Sequence, residues 1–117
     1  MLERAMDGPV TLIEGITEAA PVVGSGVKPY SVLKRPDVTV MALAFAAGAE
    51  LREHSAPAVV LLQLRYGHVT VRVDGRDVDL RPDGLMYLES RLSHSVTAIE
   101  ESLLQVTVLA KEHPEVE

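Results

Sequence analysis

Residues 69–80 read VTVRV, then DG, then RDVDL, and no other stretch limits the fold of this chain so firmly. Apolar and polar residues alternate on both sides of Asp74-Gly75, which is the period of a strand with one buried face and one wet face. An Asp-Gly pair between two such runs suits a type I′ turn. Glycine takes a positive φ there, and the twist of the turn matches the strands it joins. A two-residue β-hairpin is predicted.

The rest of the chain after residue 37 has the same character. VTVMALAF (38–45) is β-branched at its start and apolar on both pleat faces, so it is expected to be covered on both sides, inside a sandwich or under a partner subunit. RPDG (81–84) is a second turn cluster leading into LMYL, and SVTAI and LLQVTVLA supply two more strands around EES. Short strands broken by Gly, Pro, Asp and Ser indicate an all-β antiparallel sandwich or barrel. The first 36 residues are ambiguous: PVTLIEGITEAAP suits a short strand or a helical turn, and VVGSGVKP reads as a flexible Gly-rich loop without the following helix a phosphate site needs. The expected organisation is an N-terminal arm and loop over 1–36, one barrel over 37–110, and a charged, frayed tail over 111–117.

Composition narrows the function. A chain of 117 residues suits one domain, which at this size buries roughly two thirds of its unfolded surface. Apolar residues at 47% and charged residues at 24% are globular usage, so disorder is not expected. Seventeen acidic residues against eleven basic give a net charge of −6, with no basic cluster to follow a phosphate backbone, and the single Phe, three Tyr and absent Trp leave little for stacking. Nucleic acid is not expected as a partner. Without cysteine there is no disulfide, thiolate nucleophile or zinc-thiolate site. The apolar run AVVLLQL is far shorter than the ~18 residues of a membrane span, and MLERAMDGPV lacks the pattern of a secretion signal. A cytoplasmic protein that does not enter a membrane is expected.

Within residues 52–67, the polar HSAP meets AVVLLQL with His54 at the junction. Gly48, His54 after five residues, and Gly67 ahead of HVTVRVDG resemble the first motif of the cupins, and LRPDGLMYLESRLSH resembles their second, ending on His94. The similarity covers about residues 38–109. The resemblance implies a double-stranded β-helix, the cupin jelly-roll barrel, open at one end and often dimeric. It also implies a metal site of three histidines and one carboxylate or glutamine, and here the sequence departs from it. His54 and His94 match two of the ligands, but the second histidine position is Ala56 and the acidic position is Val60. The second motif departs too: its turn is Pro82-Asp83-Gly84, its proline is Glu89, its glycine is Arg91 and its asparagine is Ala98.

Alanine and valine offer a metal no lone pair, and losing the carboxylate removes the anion that would offset a divalent charge. No cofactor is therefore expected. The alternative is a divalent transition metal ion on His54 and His94, completed by Tyr87, Gln63, Gln105 or Glu89 if strand parity points one inward. His54 and His94 each remain open between a ligand-contacting role and a rim histidine bonded to backbone. His68 and His113 are expected in solvent, Met41 and Met86 as core filling, and Glu89 with Arg91 as a solvated ion pair. Ser55, Ser90, Ser93 and Ser95 lie near the histidines without an acid to orient a base, so a hydrolase triad is not expected.

The expected function is binding of a small organic molecule in an apolar cavity lined by Ala56, Val60 and Leu62, with His54 and His94 at its mouth. Two alternatives stand beside it. One is a metal-dependent enzyme of dioxygenase or isomerase type using the two histidines. The other is a structural or regulatory homodimer, motivated by the doubly apolar strand 38–45 and the N-terminal arm.

Overall fold

A computed structural model of the chain describes residues 2–6 and 8–110. In chain order the described elements begin with β1 (Glu3–Met6), β2 (Leu12–Glu14), the single-turn helix α1 (Ile16–Ala19), β3 (Val27–Arg35) and β4 (Val38–Phe45). They continue with β5 (Glu50–His54), β6 (Val60–Tyr66), β7 (Val69–Val73), β8 (Arg76–Leu80), β9 (Met86–Leu88), β10 (His94–Ala98) and β11 (Ser102–Leu109). Two antiparallel sheets face each other, one in the order β5-β10-β7-β8 and the other in the order β3-β4-β11-β6-β9, and β1 pairs with β2 apart from them. The all-β expectation holds.

The predicted hairpin is β7–β8, with Val73 opposite Arg76. Asp74 and Gly75 carry φ of 53° and 74°, the two positive values a type I′ turn requires. The second turn cluster also forms: the Gly84 amide donates to the Arg81 carbonyl at 3.1 Å, with Asp83 at a φ of 76° after Pro82. LMYL contains β9, and SVTAI and LLQVTVLA supply all of β10 and β11 except their first residues, His94 and Ser102.

The inner faces of both sheets form one core. Leu43, Phe45, Val60, Leu62, Leu64 and Leu104 from one side meet Val69, Val71, Val73, Leu80, Val96 and Ala98 from the other. Strand alternation selects these residues, since each strand sends every second side chain inward. Phe45 is fully buried at its centre.

β4 is apolar on both faces because both are covered. Its inward residues join that core, while Ala42 and Ala44 face a second cluster of Ala20, Val32 and Leu103, flanked by Ile13, Ile16 and Val22. The chain's own residues 13–22 thus cover the outer face of the larger sheet at this end. The ambiguous PVTLIEGITEAAP supplies both of the structures it suited, β2 and then α1. Residues 27–35, within the stretch expected as arm and loop, form β3, which pairs with β4 along its length as an edge of the larger sheet. Pro29 sits in this edge strand, where a missing amide removes no bond from an inner ladder. The tail expected over 111–117, with His113, lies outside the described residues.

Candidate functional site

Between the sheets, β4, β5, β6, β10 and β11 enclose a cavity of about 290 Å³. The structure brings all five residues expected at a site to its wall: His54, Ala56, Val60, Leu62 and His94. The remaining wall is Met41, Leu43, Leu51, Val96, Leu104, Val106 and Val108, so apart from two imidazoles and one thioether it is hydrocarbon. Met41 is therefore a cavity residue and not only filling. Sequence reasoning missed these seven; each follows from strand parity once the register is known.

His54 ends β5 and His94 begins β10, and the two pair directly across the strands. A bulge makes this possible. Between His94 and Val96 the partner strand runs from His54 to Leu51, so β5 holds one residue more than β10 over the same span. Residues three apart in a regular strand face opposite ways; the extra residue lets Leu51 and His54 both line the cavity. The ring centroids lie 4.4 Å apart, tilted by 57°. His94 is 4% exposed and lies inside, whereas His54 is exposed at the mouth.

Each ring is fixed through Nδ1. His54 Nδ1 lies 3.0 Å from the Arg52 carbonyl oxygen and His94 Nδ1 lies 3.0 Å from that of Leu92. A carbonyl only accepts, so both Nδ1 atoms carry the proton and, in the neutral rings, both Nε2 atoms present a lone pair. Burial lowers the His94 pKa below its ordinary 6.5, the Leu92 carbonyl partly opposes this, and the charge of a protonated His54 lowers it further. His94 thus resists protonation, which keeps its Nε2 available as an acceptor.

Two contacts hold the mouth together. The Ser93 hydroxyl donates to Glu53 Oε2 at 2.7 Å, tying β5 to the loop before β10. The Arg91 amide donates to the Ala56 carbonyl at 2.7 Å, closing that loop against the one before β6. Arg91 adopts a φ of 68°, a conformation that favours glycine, at the position where the cupin motif has one.

None of the proposed third ligands reaches the cavity. Tyr87 is 62% exposed, Gln63 and Glu89 are exposed, and Gln105 accepts from Arg65 Nη2 at 2.8 Å on the sheet's outer face. No group of three His, Cys, Asp or Glu side chains suited to a metal occurs among the described residues. Two imidazoles in a hydrocarbon wall, without a carboxylate, do not fit the divalent site the fold suggests. Glu89 and Arg91 are both exposed and do not form the expected ion pair. Ser102 Oγ accepts from the His68 amide at 2.9 Å and donates to the Glu100 carbonyl at 2.7 Å, fixing the turn after β6 against the start of β11.

His68 is the residue whose expected place was wrong. Its side chain is only 21% exposed, with Nε2 3.3 Å from Asp79 Oδ1. The Asp79 carboxyl is held below its ordinary value first by His68 and then by the Thr70 hydroxyl. Residue 68 follows a turn glycine but stands beside the β7–β8 ladder, and a turn signal alone does not reveal that neighbour.

No protein-family profile matches the sequence, and no curated protein matches it. Solved structures do. A cupin superfamily protein from Desulfitobacterium hafniense superposes with a TM-score of 0.78 at 14% identity, over 94% of this chain and 98% of that one. An RmlC-like cupin from Shewanella frigidimarina gives 0.72 at 16% identity, over 98% of each. A conserved protein with a double-stranded β-helix domain from Klebsiella pneumoniae gives 0.76 at 14% identity, over 86% of each.

Proposed function

The chain has the cupin double-stranded β-helix fold, and from that premise we propose that it binds a small organic molecule in the cavity between its sheets, without a catalytic metal. The supporting observation is the cavity's wall: ten apolar residues and two histidines, with the positions that would complete a metal site occupied by Ala56 and Val60. Largely apolar pockets with a few convergent polar groups are the usual form of a small-molecule site. His94, buried in the wall, fixes the polar end of the ligand, His54 stands at the mouth, and the aliphatic wall holds the rest.

Elemental analysis of protein purified without a histidine tag tests the metal-free part. Metal far below one equivalent is expected; a stoichiometric transition metal that disappears when both histidines become alanine would transfer the site to the enzyme reading.

Self-association is a second reading with its own support. From Val40, which packs at the margin of the cluster that residues 13–22 cover, a row of Thr107, Leu61 and Tyr87 continues across the outer face of the larger sheet, and Tyr87 is 62% exposed at its edge. A homodimer would bury this row. Light scattering at micromolar concentration separates the cases: a mass near twice 12.7 kDa supports the dimer, and the monomer mass rejects it.

A further inference from the structure

We propose that the ligand is an uncharged hydrocarbon bearing a hydroxyl group, an alkylphenol or an alkyl alcohol, which donates that hydroxyl to His94 Nε2. This rests on the ligand-binding reading above and specifies it. His94 Nδ1 is committed to the Leu92 carbonyl, and Nε2 has no hydrogen-bond partner among the described residues. Nor is Nε2 sealed in protein: among those residues the one side-chain polar atom cut off from solvent without a geometric hydrogen bond is His68 Nε2, whose neighbour is the Asp79 carboxylate at 3.3 Å. A ring that is 4% exposed and lines the cavity therefore opens its one free lone pair onto it.

An acceptor in such a place selects a donor. The wall holds no Lys or Arg to neutralise a carboxylate and no Asp or Glu to neutralise an ammonium group, so either ion would lose its hydration without a counter-charge. A neutral hydroxyl loses little and satisfies the lone pair. His54, exposed at the mouth, exchanges hydrogen bonds with water and is not the selecting group. At water's share of liquid volume, ~30 Å³, a cavity of about 290 Å³ takes roughly ten non-hydrogen atoms. para-Propylphenol has that size.

The test compares para-propylphenol, its methyl ether and para-propylbenzoate by calorimetry, on the wild type and on His94→Phe and His54→Phe. The phenol should bind about tenfold more tightly than the ether, the scale of one hydrogen bond, with the benzoate weakest. That preference should vanish in His94→Phe and survive in His54→Phe. Nitrogen NMR of the wild-type imidazole gives a readout independent of mutant folding: the His94 Nε2 resonance should shift with the phenol and stay fixed with the ether. Equal binding of phenol and ether, or tightest binding of the benzoate, would overturn the hydroxyl assignment while leaving ligand binding in place. If none of the three binds, both readings fall.

Discussion

The decisive residues owe their behaviour to position more than to type. His94 and His54 are both histidines beside turns in the sequence, yet one is buried in the cavity wall and the other is exposed at the mouth. The consequence for His94 is measurable. Its folded-state pKa is lowered, so below the ordinary value of 6.5 the unfolded chain takes up a proton that the folded chain resists. Stability should therefore fall as pH drops below that value and stay level just above it. Urea denaturation at about pH 7.5 and about pH 5.5 should show the loss, and His94→Gln should reduce it; an unchanged pH response in that variant would contradict the assignment. Gly67 tests a different constraint. At a φ of 100°, an added Cβ would overlap Ser102 Oγ and stand 2.5 Å from the Glu101 carbonyl oxygen, so Gly67→Ala should cost at least about 2 kcal/mol in a urea titration. Arg91→Gly should do the reverse, by up to about 1 kcal/mol, because it relieves a left-handed conformation that arginine tolerates poorly.

At the scale of elements, what was legible in the sequence was what is local. The Asp74-Gly75 hairpin was visible because the turn and the alternation lie within twelve neighbouring residues of the sequence. β5 was not, because Glu50–His54 is mostly polar and its bulge breaks the two-residue period that would have marked it. β3 was hidden by Pro29 and the preceding glycines, and its place comes from pairing with β4, a non-local fact. The double apolarity of β4 was legible, but not that residues of the same chain would cover it. That cover is built from small side chains, with Ala20, Ala42 and Ala44 each 1% exposed or less. Ala44→Leu should overpack it and lower stability by about 1–3 kcal/mol in chemical denaturation, whereas a surface change such as Arg72→Lys should stay within about 0.5 kcal/mol. A neutral Ala44→Leu would mean that residues 13–22 do not pack as described.

For the molecule as a whole, two sheets share one core, and the cavity occupies the end of that core between β5, β10 and the inner face of the larger sheet. The five expected site residues converge there because motif spacing fixed their approximate place, while the directions of Gln63, Gln105, Glu89 and Tyr87 needed the register of the strands. Among the described residues no helix is long and apolar enough to cross a membrane. The central claim is that this cavity is a binding site, and methyl NMR of the full chain titrated with para-propylphenol tests it most directly. The account predicts shifts concentrated in the methyl groups of Leu43, Leu51, Val60, Leu62, Val96, Leu104, Val106 and Val108, with the outward-facing Val23, Leu85 and Leu109 unmoved. Shifts centred on those outward methyls, or none anywhere at saturating phenol, would contradict it.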